Sequence, residues 1–204
     1  MGVLTAGHTI LCEDRNRRGG IKNIYLGEVA NVASTTATVP HNYTAIGGLT
    51  GTGGTSKNVW KFQFDRETAY YTANATRENG STVVEIELGF SIPKITEEIN
   101  ARLEELKETC GLFAVVETFA DNGAGTPVTY HFVLGYDEVF SPDAFLEFSS
   151  GEQNTGTGLQ DPNETVVKLK GFMAEYPREY VPSGAGIVID SNAGIATALG
   201  YTLT

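Results

Sequence analysis

Apolar and polar residues alternate along two stretches of the chain, Trp60–Phe64 and Val84–Phe90. A period of two residues is typical of a β-strand that buries one face and exposes the other. The dipeptide Asn79–Gly80 precedes the second stretch and favours the type I′ turn of a β-hairpin. The pattern therefore predicts a hairpin in which Thr68–Thr76 pairs with Thr82–Phe90.

A third stretch has the periodicity of an α-helix. Its apolar side chains are spaced by four, four, three and four residues, which places them on one stripe of a helix. They are Ile95, Ile99, Leu103, Leu106 and Cys110. Thr96 suits the N-cap position, and Gly111 suits the left-handed residue that follows many helices. These features predict one amphipathic helix over residues 95–110 that packs on a sheet.

Two finer expectations follow from the helix. Cys110 belongs to the apolar stripe, so we expect a buried free thiol in a reducing compartment. Glu98 and Arg102 are four residues apart, which predicts an ion pair on the exposed face.

Further strands are predicted where short apolar-rich runs lie between turn residues. They are Ile21–Val29, Thr44–Thr50, Leu112–Phe119, Thr129–Tyr136, Thr165–Lys170 and Ile187–Ile189. Residues 33–43 are expected to form a connector, and residues 141–163 an irregular segment. Eight or nine strands and one helix predict a mainly β fold: a β-sandwich or partly open barrel with one flanking helix, extended loops and arms.

The chain is expected to form a single domain. Its 204 residues are enough to bury a sizeable core. We expect residues 1–182 to be one β-sandwich domain with an N-terminal arm. Residues 183–204 are rich in Gly and Ala and are expected to be an extension packed on the same domain. No apolar run is long enough for a membrane helix, and the N-terminus lacks the order of a signal peptide.

The charge is distributed unevenly. Residues 1–66 have seven Lys/Arg and four Asp/Glu, a net charge of +3, and residues 67–204 have seven and twenty-one, a net charge of −14. Two explanations of this distribution stay open. One is an acidic, solvated surface that keeps the protein soluble, and the other is electrostatic attraction between the oppositely charged halves of neighbouring subunits. Direct binding to nucleic acid is disfavoured, because the basic cluster at residues 15–22 is small and has Glu13 and Asp14 beside it.

No motif predicts catalysis, a cofactor or a metal site. The Gly-rich segment 48–57 lacks the Gly-Lys-Ser/Thr of a phosphate-binding loop. His8, His41 and His131 lack metal-ligand spacing, and His131 is expected to be an ordinary strand residue. Residues 161–164 are more typical of an Asp-Pro turn than of a calcium loop. The sequence therefore predicts that the protein is not an enzyme.

Several segments resemble structural proteins of tailed bacteriophages, and the tail tube proteins most of all. The resemblance spans roughly residues 20–182, and its segments are Gly19–Leu26, Gly111–Val116, Leu134–Tyr136, Asn154–Asp161 and Leu169–Gly171. It implies a β-sandwich subunit flanked by a helix, which assembles into hexameric rings that stack into a hollow tube. It also implies a location in the virion tail after assembly in the cytoplasm of a bacterial host. The implied partners are other copies of the chain, the tail sheath and other tail proteins, and DNA passes through without specific binding.

The resemblance also suggests roles for individual residues. Glu85 and Glu87 share the polar face of the first predicted hairpin and are candidates for the lumen, where like charge keeps DNA from sticking. Gly51, Gly53 and Gly54 are candidates for a loop that reaches the adjacent ring. Three alternatives stay open. They are another ring-forming virion protein (a head–tail connector, a tail-end protein or the tube of an injection device), a carbohydrate- or receptor-binding β-sandwich, and an enzyme.

Overall fold

The computed structural model of the chain describes residues 20–32, 34–38, 41–47, 59–121, 127–141, 143–158, 160–181, 187–190 and 196–199. Within these residues it contains thirteen β-strands, one α-helix and a 3-10 turn at Val29–Asn31. The strands are β1 (Ile21–Glu28), β2 (Ser34–Thr38), β3 (Asn42–Gly47), β4 (Val59–Phe62), β5 (Tyr70–Glu78), β6 (Ser81–Pro93), β7 (Leu112–Asp121), β8 (Pro127–Leu134), β9 (Leu146–Asn154), β10 (Glu164–Met173), β11 (Glu179–Tyr180), β12 (Ile187–Asp190) and β13 (Ala196–Leu199). The helix, α1, is Glu97–Glu108. The prediction of a mainly β fold is confirmed.

All strands belong to one large open sheet. Nine of them follow the order β13-β12-β4-β1-β7-β8-β11-β3-β2. The other four follow the order β5-β6-β10-β9, and β9 joins the first group by pairing Leu146 with Leu112 of β7. The sheet does not close into a barrel, and the two-layered sandwich stays a prediction.

The main core contains apolar side chains from both groups of strands. One group contributes Ile24, Leu26, Ala114 and Val116, and the other contributes Ile86, Leu88, Phe90, Val167 and Leu169. All of these are at most 2% exposed. Strands β6 and β10 enter this core with every second residue, as their alternating sequences predict.

A second apolar cluster lies on the opposite face of β1, β7 and β8. Its members include Tyr25, Phe113, Val115 and Val133, together with Tyr43, Ile46, Tyr136 and Tyr180. Strands β7 and β8 are therefore buried on both faces, which explains the nearly continuous apolar run Leu112–Val116.

The first predicted hairpin is confirmed. Strand β5 pairs with β6 from Tyr70–Gly89 to Glu78–Ser81. Asn79 and Gly80 have φ of 49° and 86°, the two positive values that a type I′ turn requires.

The helix begins as predicted and ends early. The side chain of Thr96 accepts a hydrogen bond from the backbone N–H of Ile99 at 3.3 Å, which confirms the N-cap. The helix ends at Glu108, before Gly111, which does have a positive φ of 83°. Cys110 therefore lies beyond the helix and is exposed, so the prediction of a buried thiol was wrong.

The ion pair predicted on α1 was also wrong. The guanidinium of Arg102 donates two hydrogen bonds, of 2.8 and 2.7 Å, to the carboxylate of Glu105 instead of pairing with Glu98. Residues three and four positions apart are both neighbours on a helix surface, and here Arg102 binds Glu105, three positions away.

Four strands were not predicted: the short strands β11 and β13, and the longer strands β2 and β9. Strand β2 replaces part of the expected connector, and β9 replaces part of the expected irregular segment. The sequence of β2, Ser-Thr-Thr-Ala-Thr, contains no large apolar residue, and β9 is mostly polar after Phe148. Both strands therefore lack the alternation that would mark them.

The C-terminal part of the chain contributes two short strands. Strand β12 pairs in parallel with β4 at Val59 and Trp60, and in antiparallel with β13. The predicted strand at Ile187–Ile189 is confirmed, while residues 183–186, 191–195 and 200–204 of the predicted extension lie outside the described residues. No helix among the described residues is long and apolar enough to cross a membrane.

Candidate functional site

The outer face of the β5-β6-β10-β9 strands brings together the acidic residues selected from the sequence. Glu85 and Glu87 lie between the buried residues Val84, Ile86 and Leu88, so both carboxylates point away from the core. The alternation predicted this shared face correctly. Whether the face lines a lumen stays a prediction.

Glu87 is bound on two sides. The Tyr70 hydroxyl donates a hydrogen bond to Oε1 at 2.7 Å, and Lys170 Nζ lies 3.0 Å from Oε2. These two contacts, the tyrosine first, hold the pKa of Glu87 below its usual range. The same hydrogen bond raises the pKa of Tyr70. Glu87 is therefore a fixed, partly neutralised charge.

Gly89 makes the Tyr70 contact possible. The two residues are paired across β5 and β6, and the tyrosine ring lies directly over the glycine. A Cβ at position 89 would lie 2.5 Å from ring carbon Cε1, a distance that side chains do not tolerate. The absence of a side chain here lets the ring lie flat and places its hydroxyl beside Glu87.

Glu85 differs from Glu87. It is exposed and makes no ion pair within 4.0 Å in the described part of the chain. Its cross-strand neighbours are Asn74 on β5 and Phe172 on β10, the latter 60% exposed. Glu85 therefore presents a free negative charge to whatever approaches this face.

The whole face has an acidic balance. On strands β6, β10 and β9, the registers place five glutamates and two lysines on this face, a net charge of −3. They are Glu85, Glu87, Glu147, Glu152, Glu164, Lys168 and Lys170. Glu164 also accepts a hydrogen bond of 2.5 Å from the hydroxyl of Ser91, which confirms that these two side chains share the face.

Strand β5 forms a long free edge beside this face. Among the described residues it pairs only with β6, so the outward backbone groups of its nine residues have no strand partner. The central residues Thr72–Thr76 carry no charge and no proline, the usual guards against pairing with another chain.

A second candidate is a groove between α1 and β4. It has a volume of about 500 Å³. Trp60, Phe62 and Phe64 line one side, and Ile99 and Leu103 line the other. Trp60 is 42% exposed, so its ring is available to a ligand.

A third feature, which the sequence did not reveal, is a buried polar cluster around Glu117. Glu117 is 6% exposed, and its carboxylate accepts hydrogen bonds from Lys22 Nζ at 2.6 Å, Asn23 Nδ2 at 2.5 Å and the Tyr25 hydroxyl at 3.3 Å. A bulge between Ile21 and Asn23 lets the neighbours Lys22 and Asn23 reach the same carboxylate. The only signal in the sequence was a glutamate that directly follows the apolar run Leu112–Val116.

Glu117 lies directly opposite His131 in the β7–β8 ladder. His131 is 8% exposed, as expected for an ordinary strand residue. Burial lowers its pKa, which Glu117 partly counteracts. The pKa of Glu117 is also lowered. Burial acts to raise it, but the hydrogen bonds from Lys22 and Asn23 and the positive charge of Lys22 outweigh that effect.

The remaining predicted site residues, Gly51, Gly53 and Gly54, lie outside the described residues. Across the ranges described, no group of three or more His, Cys, Asp or Glu side chains could hold a metal ion. Asp161 starts the predicted Asp-Pro turn over residues 161–164, but its carboxylate accepts hydrogen bonds from the backbone N–H groups of Thr157 and Gly158, which precede it in the chain.

Comparisons of the chain with protein-family models, with curated proteins and with solved structures found no match. Its function is therefore inferred from the residues described above.

Proposed function

We propose that this protein is a structural subunit of a tailed bacteriophage, which assembles into stacked, hexameric rings and forms the tail tube. The tube conducts the genome into the host cell, and the protein catalyses no reaction. The observation that supports this proposal most directly is the β5–β6 hairpin, which has a polar outer face and a free edge whose central residues, Thr72–Thr76, carry no charge.

The free edge suits ring closure. An open sheet has unpaired N–H and C=O groups at its edges, and a cyclic assembly can satisfy them by pairing one subunit with the next. Strand β5 offers nine residues for such pairing. Its apolar residues Tyr71 and Ala73 already pack against the core, so edge pairing would leave the subunit's interior unchanged.

The acidic face suits a lumen through which DNA passes. A surface of like charge repels phosphates and offers no attachment point. Of the two lumen candidates, Glu85 contributes more to this repulsion, because it has no ion pair within 4.0 Å in the described part of the chain, whereas the charge of Glu87 is balanced by Lys170.

Electron microscopy and light scattering of the purified protein test the proposal. A tail tube subunit should form long tubes about 100 Å wide, an estimate from two subunit diameters and a lumen. Single rings would indicate a connector or tail-end protein instead. A protein that stays monomeric at high concentration would contradict assembly altogether.

A matched pair of variants tests the role of the edge. Asn74 and Phe172 flank Glu85 on opposite sides, one on the edge strand β5 and the other on the interior strand β10. Asn74→Lys and Phe172→Lys each add one positive charge to the same face. Asn74→Lys should block assembly because a lysine guards the edge, and Phe172→Lys should leave it intact. Equal behaviour of the two variants would contradict pairing through β5.

The groove favours a second candidate function, the binding of carbohydrate. Aromatic side chains with polar neighbours are typical of small-molecule sites, and Trp60 has Gln63 and Arg102 nearby. Calorimetry with maltohexaose and chitohexaose tests this function. Binding that is lost in Trp60→Ala would support a carbohydrate-binding module, and a monomeric wild-type protein would strengthen that conclusion.

A further inference from the structure

The hairpin of β2 and β3, residues 34–47, is joined to the rest of the sheet by few backbone contacts. We refer to it as the β2–β3 arm. Strand β3 pairs with β11 at only two positions, Asn42 and Tyr43, and β11 pairs with β8 only at Phe132. One further backbone–backbone hydrogen bond, of 2.8 Å, joins Val181 N–H to the carbonyl of Tyr43, and the ring nitrogen His41 Nε2 lies 3.0 Å from the carbonyl oxygen of Tyr176. By contrast, β6 and β10 pair over ten consecutive positions.

The arm also buries little apolar surface. Among its described side chains, only those of Tyr43 and Ile46 are large, apolar and buried. The side chains of Ser34, Thr36 and Ala37 on β2 are exposed, and that of Thr35 is half-buried. Packing therefore fixes the arm at two points on β3.

Three charged residues of the body face the arm at the same place, and we refer to them as the Arg178 cluster. Arg178 Nη1 lies 3.5 Å from Glu138 Oε2, and Arg178 Nε lies 2.6 Å from Glu175 Oε1. The second contact is close but poorly aligned for a hydrogen bond, so we treat it as an ion pair. The arginine side chain is 15% exposed, which limits screening by salt.

The cluster is anchored in the body through its backbone. The carbonyl of Arg178 accepts a hydrogen bond of 2.9 Å from Val133 N–H on β8. The buried carboxylate of Asp137 accepts hydrogen bonds from the N–H groups of Val139 and Ala174. These bonds join the segment that contains Glu138 to the residues after β10, where Glu175 lies. The backbone that carries the three charged side chains is therefore held in place independently of the arm.

Each member of the cluster contacts a different residue of the arm. The guanidinium carbon of Arg178 lies 5.0 Å from the centre of the Tyr43 ring, within the range of a cation–π contact. Glu138 Oε1 accepts a hydrogen bond of 2.6 Å from the Thr35 hydroxyl. Glu175 Oε2 lies 3.9 Å from His41 Nδ1. One cluster thus reaches both strands of the arm and the turn between them.

We propose that the β2–β3 arm is a separately opening unit that the Arg178 cluster holds against the body. Loss of the cluster releases the arm while the core formed by β1, β6, β7 and β10 stays folded. Release frees the inner edge of β3 in addition to the outer edge of β2, so the arm becomes able to pair with a strand of another chain. This proposal does not depend on the tail tube function.

Hydrogen–deuterium exchange of the purified protein tests the proposal, because exchange measures local opening segment by segment. In Arg178→Met, amides of residues 34–47 should exchange roughly tenfold faster than in the wild type, and amides of β6 and β10 should not change. Arg102→Met is the matched control, because it removes an exposed arginine from an ion pair on α1. Uniformly faster exchange throughout Arg178→Met, or no change in the arm, would overturn the proposal.

A gentler pair of variants covers the case in which Arg178→Met does not fold. Thr35→Val removes the hydrogen bond to Glu138, whereas Thr44→Val removes a hydrogen bond of 3.1 Å to the carbonyl of Thr36, within the arm itself. Thr35→Val should raise exchange across the arm roughly threefold, whereas Thr44→Val, which leaves the contact with Glu138 intact, should not raise it there. If both variants act alike, or neither acts, the Arg178 cluster does not hold the arm.

Discussion

The two long hairpins of this protein, β5–β6 and β7–β8, have similar lengths and opposite surroundings. In β5–β6, residues such as Ile86 and Leu88 are buried while their neighbours Glu85 and Glu87 face outward. In β7–β8, four consecutive residues, Phe113 to Val116, are each 0% exposed because apolar clusters cover both faces.

This difference changes the meaning of a glutamate in each hairpin. Glu87 lies on an open face, where its contacts to Tyr70 and Lys170 fix the position of its carboxylate. Glu117 lies among buried residues, where its donors compensate the cost of removing a charge from water. The β7–β8 hairpin therefore contributes its glutamate to the interior, and the β5–β6 hairpin contributes its glutamates to an exposed face.

The largest expected effect separates buried from exposed aromatic residues. Phe113→Ala should lower the free energy of unfolding by about 3–5 kcal/mol, because it leaves a cavity in the second apolar cluster. Phe172→Ala, on the open face, should change it by less than about 0.5 kcal/mol. Urea denaturation of both variants measures the contrast, and similar losses would show that the open face is part of the core.

A smaller effect separates the two glutamates. Glu117→Gln should lower the free energy of unfolding by about 1.5 kcal/mol, because it removes the charge that receives Lys22 and Asn23. This loss is at the low end of the range for hydrogen bonds to charged groups, because the side chain of Lys22 is 44% exposed and its ammonium group can be solvated by water in the variant. Glu87→Gln is the control and should cost less in the same urea titration. A larger loss of unfolding free energy in Glu87→Gln than in Glu117→Gln would show that Glu87, and not Glu117, contributes more to stability.

The third prediction concerns the close contact on the open face. Gly89→Ala should lower the free energy of unfolding by about 1 kcal/mol, because the added methyl group displaces the Tyr70 ring and breaks its hydrogen bond to Glu87. In a Tyr70→Ala background the same substitution should cost much less, since the clash is absent. A double-mutant cycle by urea denaturation measures this coupling. An equal loss of unfolding free energy in both backgrounds would show that Gly89→Ala acts through the backbone conformation and not through contact with the Tyr70 ring.

The smallest expected effect is a dependence on pH. Burial lowers the pKa of His131, so the unfolded chain takes up a proton first as the pH falls through 6.5, and stability is lost. The lowered pKa of Glu117 acts in the same direction below pH 4.5. Denaturation at pH 7.5 and 5.5 should show a decrease for the wild type and a smaller decrease for His131→Gln. An unchanged decrease in the variant would assign the pH dependence to other groups.

Local signals in the sequence predicted some elements in detail. The alternation in Val84–Phe90 and the dipeptide Asn79–Gly80 were enough for the β5–β6 hairpin, its turn and its outward-facing glutamates. The N-cap at Thr96 was equally clear. Strand β2 was missed because small polar residues show no periodicity. The exposure of Cys110 was missed because the apolar stripe continues past the end of the helix.

The sequence by itself determined which faces of β6 and β10 are apolar, because a period of two assigns each side chain to one side of a strand. Only the tertiary structure decided that β7 is covered on both sides, that Glu117 meets Lys22 from a strand 95 residues away, and that β5 is left at an edge. Burial and edges depend on which distant strands become neighbours, and the alternation of residues along one strand contains no information about its neighbours.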